Sequence, residues 1–218
     1  NWMKIHEQEM DSDLFEDIEN LKPVIQAGTS DSAALDNVFE LLNISGQPAP
    51  LAKLMLVPDA WSKKSKVLPK EHQQLFNFLN STMEPWDGPA AIAGTDNEWV
   101  IAANDRNGLR PLRYTITKDN FLFAGSETGM IKLNEKKIVA KGRLGPGEII
   151  GVRIEKGKLF TNEKIKNYLA KEYKHFNNQI IDLDKKITVS NEKPLFKGNE
   201  LKKRQHAFGL SLEDLELI

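Results

Sequence analysis

The sequence contains no cysteine among its 218 residues. That excludes disulfides, thiolate metal sites, iron–sulfur ligation and a cysteine nucleophile within this stretch. Histidine is nearly as scarce. His6, His72, His175 and His206 stand far apart with no ligand spacing, so no metal site is expected. Neither sign of charge dominates, since 30 Lys and Arg face 31 Asp and Glu for a net charge of -1. Nucleic acid and anionic membrane surfaces are therefore not expected partners. No apolar run reaches the roughly 18 residues that span a bilayer. The chain opens Asn1-Trp2-Met3-Lys4, with neither a signal-peptide pattern nor an initiator Met. The expected compartment is the cytoplasm. What remains is an ordinary globular composition, 40% hydrophobic and 28% charged, with enough length for one substantial core.

The first half reads as helical. Residues 11–21 suggest a short acidic amphipathic helix, and Pro23 to Ser30 an extended stretch. Ser30 or Asp31 occupies an N-cap position, and Ala34, Leu35, Val38, Leu41 and Leu42 share one helical stripe. Gly46 and Pro48 end that helix, and a second apolar segment, PLAKLMLV, ends at Pro58. Pro69 opens another helix whose buried face is expected to hold Leu75, Phe78, Leu79 and Met83.

The period changes at Ala90. Short runs rich in Ile, Val, Phe and Tyr follow one another across spacers too short for a crossover helix, which predicts antiparallel strands. Several are almost wholly apolar, so the sheet should be covered on both faces. Thr161 starts a last helix lined by Ile165, Tyr168, Leu169, Tyr173 and Phe176. Residues 181–200 have no period and read as a linker. A basic helical piece, KKRQHAF, follows, with Gly209 as its C-cap and a capping-box pattern from Ser211 to Asp214. The fold class is α+β, and the pattern reads as a fragment of a longer protein.

Two places carry candidate chemistry. Asp31 at a helix N-terminus is stabilised there by free N–H groups and the helix dipole, or it receives a cation such as the ammonium of an amino acid. The stretch NDRNGLRPLRYTIT, residues 104–117, sets Arg106, Arg110 and Arg113 around a turn. It is either a hairpin or an anion loop, and the strand that follows it argues against a phosphate cradle. Glu127 offers those arginines a buried partner, and GRLGPGEII reads as a plain turn.

In order along the chain, NWMK, PVIQAGTSDSAALDNVFELL, LVPDAW, MEPWDGPAAIAGTD, NDRNGLRPLRYTIT, GSETGM and KGRLGPGEIIGV resemble the glutamine amidotransferase domain of glutamate synthase large subunits. The resemblance implies a four-layer αββα sandwich of the N-terminal-nucleophile type, incomplete at its N-terminus. It implies residues 1–180 as the C-terminal portion of that domain, 181–200 as linker and 201–218 as the start of the central domain. The implied activity is glutamine hydrolysis, whose ammonia serves the reductive amination of 2-oxoglutarate to glutamate. The nucleophilic Cys and an oxyanion Asn-Gly pair are expected upstream of Asn1, so no catalytic residue is assigned here and the isolated chain is expected to be inactive. Asp31 matches the family residue that binds the α-amino group of glutamine. FMN and an iron–sulfur cluster are implied for the full-length enzyme and none for this segment. Implied partners are the rest of that chain and a small NADPH-oxidising subunit or ferredoxin. DRNGLRPL also resembles phosphoribosyl amidotransferases, which favours scaffold over acceptor site and a hairpin with its arginines tied into the sheet. The alternatives are a phosphoribosyl amidotransferase-type domain and a binding module that lost its nucleophile.

Overall fold

Ser30 sets the start of the first long helix. Its hydroxyl accepts the Ala33 N–H at 3.2 Å, and α1 runs Asp31–Ile44. Gly46, at φ +88°, closes it, with Gly46 N–H to Asn43 O and Gln47 N–H to Leu42 O, the Schellman pattern. The computed structural model describes residues 7–59, 68–174 and 195–210. Helix α2 spans Ala49–Leu56, α3 Lys70–Thr82, α4 Asn162–Glu172 and α5 Gly198–Ala207. The expected helix at 11–21 does not form. Side-chain oxygens of Asp11, Ser12 and Asp17 take nearby backbone N–H groups. That competes with helix hydrogen bonding and leaves only short 3-10 turns at Glu7–Glu9 and Ile18–Leu21. Pro23 to Ser30 likewise makes turns rather than a strand, with the Val24 and Ile25 N–H groups donating to the Glu7 carboxylate.

Seven strands follow: β1 Ala91–Thr95, β2 Trp99–Asn104, β3 Arg113–Thr117, β4 Leu122–Gly125, β5 Ile138–Arg143, β6 Ile149–Arg153 and β7 Lys158–Phe160. They form two antiparallel sheets, ordered β1-β2-β6-β7 and β4-β3-β5. Side-chain alternation assigns the faces. Ile101, Ala103 and Ile149 point to one side of the four-stranded sheet, against Leu54, Phe76 and Leu169 of α2, α3 and α4. Ala102 and Ile150 point to the other, against Leu112 and Leu144 beside the second sheet. The four-stranded sheet is therefore covered on both faces, and three layers, α, β and β, stand among the described residues.

Two details differ from the sequence reading. Phe76, not Phe78, lies deepest on α3, together with Leu75 and Leu79. More consequentially, residues 105–112 do not join paired strands, because β2 and β3 lie in different sheets. The stretch is a crossover between sheets, and residues 144–148 make the return crossover from β5 to β6. The two lie side by side, with Gly147 N–H donating to Asp105 O at 2.7 Å. Gly108, at φ +66°, leaves no room for a Cβ, which would stand 2.9 Å from Pro146 Cγ.

The chain divides into two compact units, residues 1–180 and 181–218. In the second, α5 carries a Glu200–Arg204 pair at 3.0 Å, and Arg204 stacks 3.8 Å from the Phe196 ring centre. Gly209 follows the helix at φ +70°, as a C-terminal glycine should. Phe176 and the Ser211 to Asp214 pattern lie outside the described residues.

Candidate functional site

Asp31 is the first residue of α1, one position past the cap that Ser30 provides. It is exposed, and its carboxylate makes no hydrogen bond or ion pair among the described residues. The first-turn N–H groups and the helix dipole favour its charge there. The next residue, Ser32, shares a 3.0 Å hydroxyl contact with Ser30 and lines a cleft of about 210 Å³. Leu35, Asp36 and Phe39 continue that wall along α1. Lys53, Leu56 and Val57 supply the α2 side, and residues 90–93, entering β1, close the third. Strand β1 is an edge strand, and Ala91 and Ala93 are exposed.

Behind this cleft is a buried polar group that sequence reasoning missed. Lys53 is 1% exposed, and its ammonium donates to the Gly147 carbonyl at 2.6 Å. Lys166 of α4 is paired with Asp59, whose Oδ1 is buried without a hydrogen-bond partner among the described residues. Burial pulls the Lys53 pKa down, Asp59 partly holds it up, Lys166 lowers it again and Asp105 opposes that. It settles at about 8 against a usual 10.5. The available signal was a single Lys inside the apolar run PLAKLMLV.

Asp105 explains the arginine-rich stretch. Its carboxylate accepts the N–H groups of Asn107 and Leu109 at 3.0 Å, Arg110 at 2.9 Å and Ala90 at 3.3 Å. Burial alone would raise the Asp105 pKa, but these four bonds outweigh it and hold it below the usual carboxylate value. The buried Asn104 side chain bridges the Asp105 N–H and the Leu144 carbonyl. The carboxylate thus shapes the crossover from inside. Arg110 and Arg113 are exposed, Arg106 is half-buried, and none forms an ion pair among the described residues. Glu127 is exposed rather than a buried partner. Nor do the arginines converge on the cleft beside α1, whose lining includes neither them nor Asp31 itself. No group of three or more His, Asp or Glu side chains that could hold a metal occurs among the described residues.

The exposed Asp31 carboxylate, without a partner among the described residues, can accept a cation such as an ammonium, but it does not name the reaction. The sequence profile of the class-II glutamine amidotransferases matches residues 1–178. The chain belongs to the class-II glutamine amidotransferases. Relatives include the glutamate synthase (NADPH) large chain of Azospirillum brasilense, 46% identical over 224 residues that take in 100% of this chain and 15% of that protein. The glutamate synthase (NADPH) large chain of Bacillus subtilis is 36% identical, covering 99% of this chain and 14% of that one. The chloroplastic ferredoxin-dependent glutamate synthase 2 of Arabidopsis thaliana is 35% identical, covering 100% and 14%. The chain thus spans about 15% of the length of such relatives. Membership in this family fits helices packed on antiparallel sheets, and it places the arginine-rich crossover inside the amidotransferase domain.

Proposed function

We propose that this chain is part of the glutamine-hydrolysing domain of a glutamate synthase, and that Asp31 receives the α-amino group of glutamine. The observation that carries the reading is the match of the whole chain, at 46% identity, to a glutamate synthase large chain. The carboxylate at the start of α1, which has no partner among the described residues, supports the role of Asp31. An ammonium brought to it gains a charge-assisted hydrogen bond without displacing an existing partner. The chemistry of the domain is attack of a thiolate on the side-chain amide, with donors holding the developing oxyanion. With no cysteine among its 218 residues, this chain supplies binding and scaffold rather than the nucleophile. The ammonia released would serve reductive amination of 2-oxoglutarate.

The finer fold reading is a four-layer αββα sandwich. Its second helical layer would lie on the outer face of β4-β3-β5, where an open groove is lined by Arg113, Phe123, Met130, Ile131 and Lys141. Met130 and Ile131 are 58% and 50% exposed, the kind of apolar surface such a layer would cover. Residues 1–180 would be the amidotransferase portion, 181–200 a linker and 201–218 the start of the next domain. The iron–sulfur cluster would be held elsewhere in the enzyme, since this chain offers no thiolate, and FMN is likewise proposed for the rest of the enzyme. The electron donor would be an NADPH-oxidising subunit or ferredoxin. No helix among the described residues is long and apolar enough to cross a membrane, and a cytoplasmic location is proposed.

The test is isotopic. The full-length protein, given glutamine labelled with nitrogen-15 in the side-chain amide, 2-oxoglutarate and a reductant, should place the label in the α-amino group of glutamate. Label released only as ammonia, even with every cofactor bound, would refute the synthase reading.

A further inference from the structure

Lys53 is the buried charge for which the amidotransferase reading provides no use. It sits on α2, faces the four-stranded sheet, and reaches across 94 positions of sequence to the Gly147 carbonyl. Gly147 is closely packed against the segment after α2. A Cβ there would stand 2.7 Å from Asp59 Oδ1 and 2.8 Å from Asp59 Cα. Gly147 N–H also donates to Asp105 O, and Asp105 N–H donates to Ala90 O at 2.9 Å. Ala90 lines the cleft, and so does Lys53 itself. A short chain of contacts therefore runs from the Lys53 ammonium through Gly147 and Asp105 to the cleft wall entering β1. An apolar side chain on this face of α2 would have avoided the cost of desolvating an ammonium.

We infer that Lys53 is a positioning residue, whose buried ammonium holds the β5–β6 crossover at Gly147 and through it the cleft wall at residues 90–93. The structural half stands without the amidotransferase assignment, whereas its consequence for glutamine rests on that reading. The groups that act on the ammonium come from each element around it. Asp59 follows α2, Lys166 projects from α4, and Asp105 lies in the other crossover. Asp36 on α1 stands exposed across the cleft, and the Glu148 carboxylate is engaged with the Gly145 N–H at 2.7 Å. With a pKa of about 8, Lys53 is largely charged at pH 7 and largely neutral at pH 9. Because burial favours the neutral amine, an opening of the crossover that rehydrates Lys53 should become rarer across that interval.

Amide hydrogen exchange of the full-length protein tests this, with rates corrected for base catalysis. Protection of residues 144–148 should rise about tenfold from pH 7 to pH 9, as the cost of keeping the charge buried is relieved. Lys53→Met should show no such pH dependence. If that variant does not fold, the pH comparison in the unaltered protein still decides. Protection of 144–148 that is unchanged by pH, or that rises equally in Lys53→Met and the parent, overturns the inference. In glutaminase assays Lys53→Met should raise the glutamine KM with kcat little changed, whereas a loss confined to kcat would overturn the cleft-wall consequence. No glutaminase activity in the unaltered enzyme would sink the amidotransferase reading and leave the exchange result standing.

Discussion

Replacing Asp105 by Asn removes the charge that shapes the β2–β3 crossover while keeping the side chain's size. Each carboxylate oxygen accepts two backbone N–H groups, Asn107 and Leu109 on Oδ1, Ala90 and Arg110 on Oδ2. An Asn side chain offers one oxygen and one NH2 group, so two of those donors would face another donor. Asp105 is 1% exposed, and water cannot readily replace the lost acceptor. Each unsatisfied group costs about 1–3 kcal/mol, so the substitution should cost about 2–6 kcal/mol. That is a large share of the roughly 5–15 kcal/mol that holds a domain together. Exchange of β2 and β6 amides as a function of urea reports on this unit whatever else is attached to it. Asp87→Asn, on an exposed carboxylate in the same region, is the control. A loss below about 1 kcal/mol for Asp105→Asn would show that the carboxylate does not organise the crossover. The sign with pH follows from the depressed pKa. The contribution of Asp105 is present above the unfolded carboxylate value of 3.8 and is lost as pH falls through the lower folded value.

The other expectations are narrower. Lys53 has a folded pKa of about 8 and an ordinary value of 10.5, so its burial cost is fully present below pH 8. Stability should rise by about 3 kcal/mol between pH 8 and pH 10.5 as the folded state releases its proton first, and Lys53→Met should flatten that rise. A rise of the same size in the Met variant would assign it to another group. Gly108 and Gly28 both have positive φ, but only Gly108 has neighbours where a Cβ would go. Gly108→Ala should therefore destabilise by about 1–3 kcal/mol more than Gly28→Ala in paired urea titrations. Equal losses would show that the crossover yields to the methyl group.

Local signals carried much of the architecture. Ser30, Gly46, Pro69 and Thr161 marked helix ends because caps and breakers act within a few residues. All seven strands were legible from apolar runs and turn residues, since those too are local patterns. Strand pairing was not. A spacer such as Asp105 to Leu112 can close a hairpin or carry the chain between sheets, and the choice depends on Leu112, Leu144 and Ile150 meeting in space. The acidic stretch at 11–17 misled for a different reason, because its side chains bond their own backbone more readily than they support a helix. At the candidate site, Asp31 could be located from sequence because an acidic residue at a helix start has a pattern. Lys53, Asp59, Asp105 and Lys166 have none, as they gather from three separate parts of the chain.

The most direct test of the site is glutamine kinetics of Asp31→Ala in the full-length protein. The glutamine KM should rise steeply, by about tenfold or more for one lost charge-assisted contact, while synthesis from added ammonia continues. Unchanged glutamine kinetics, or equal loss of the glutamine-dependent and ammonia-dependent rates, would contradict the placement of the substrate ammonium at the start of α1.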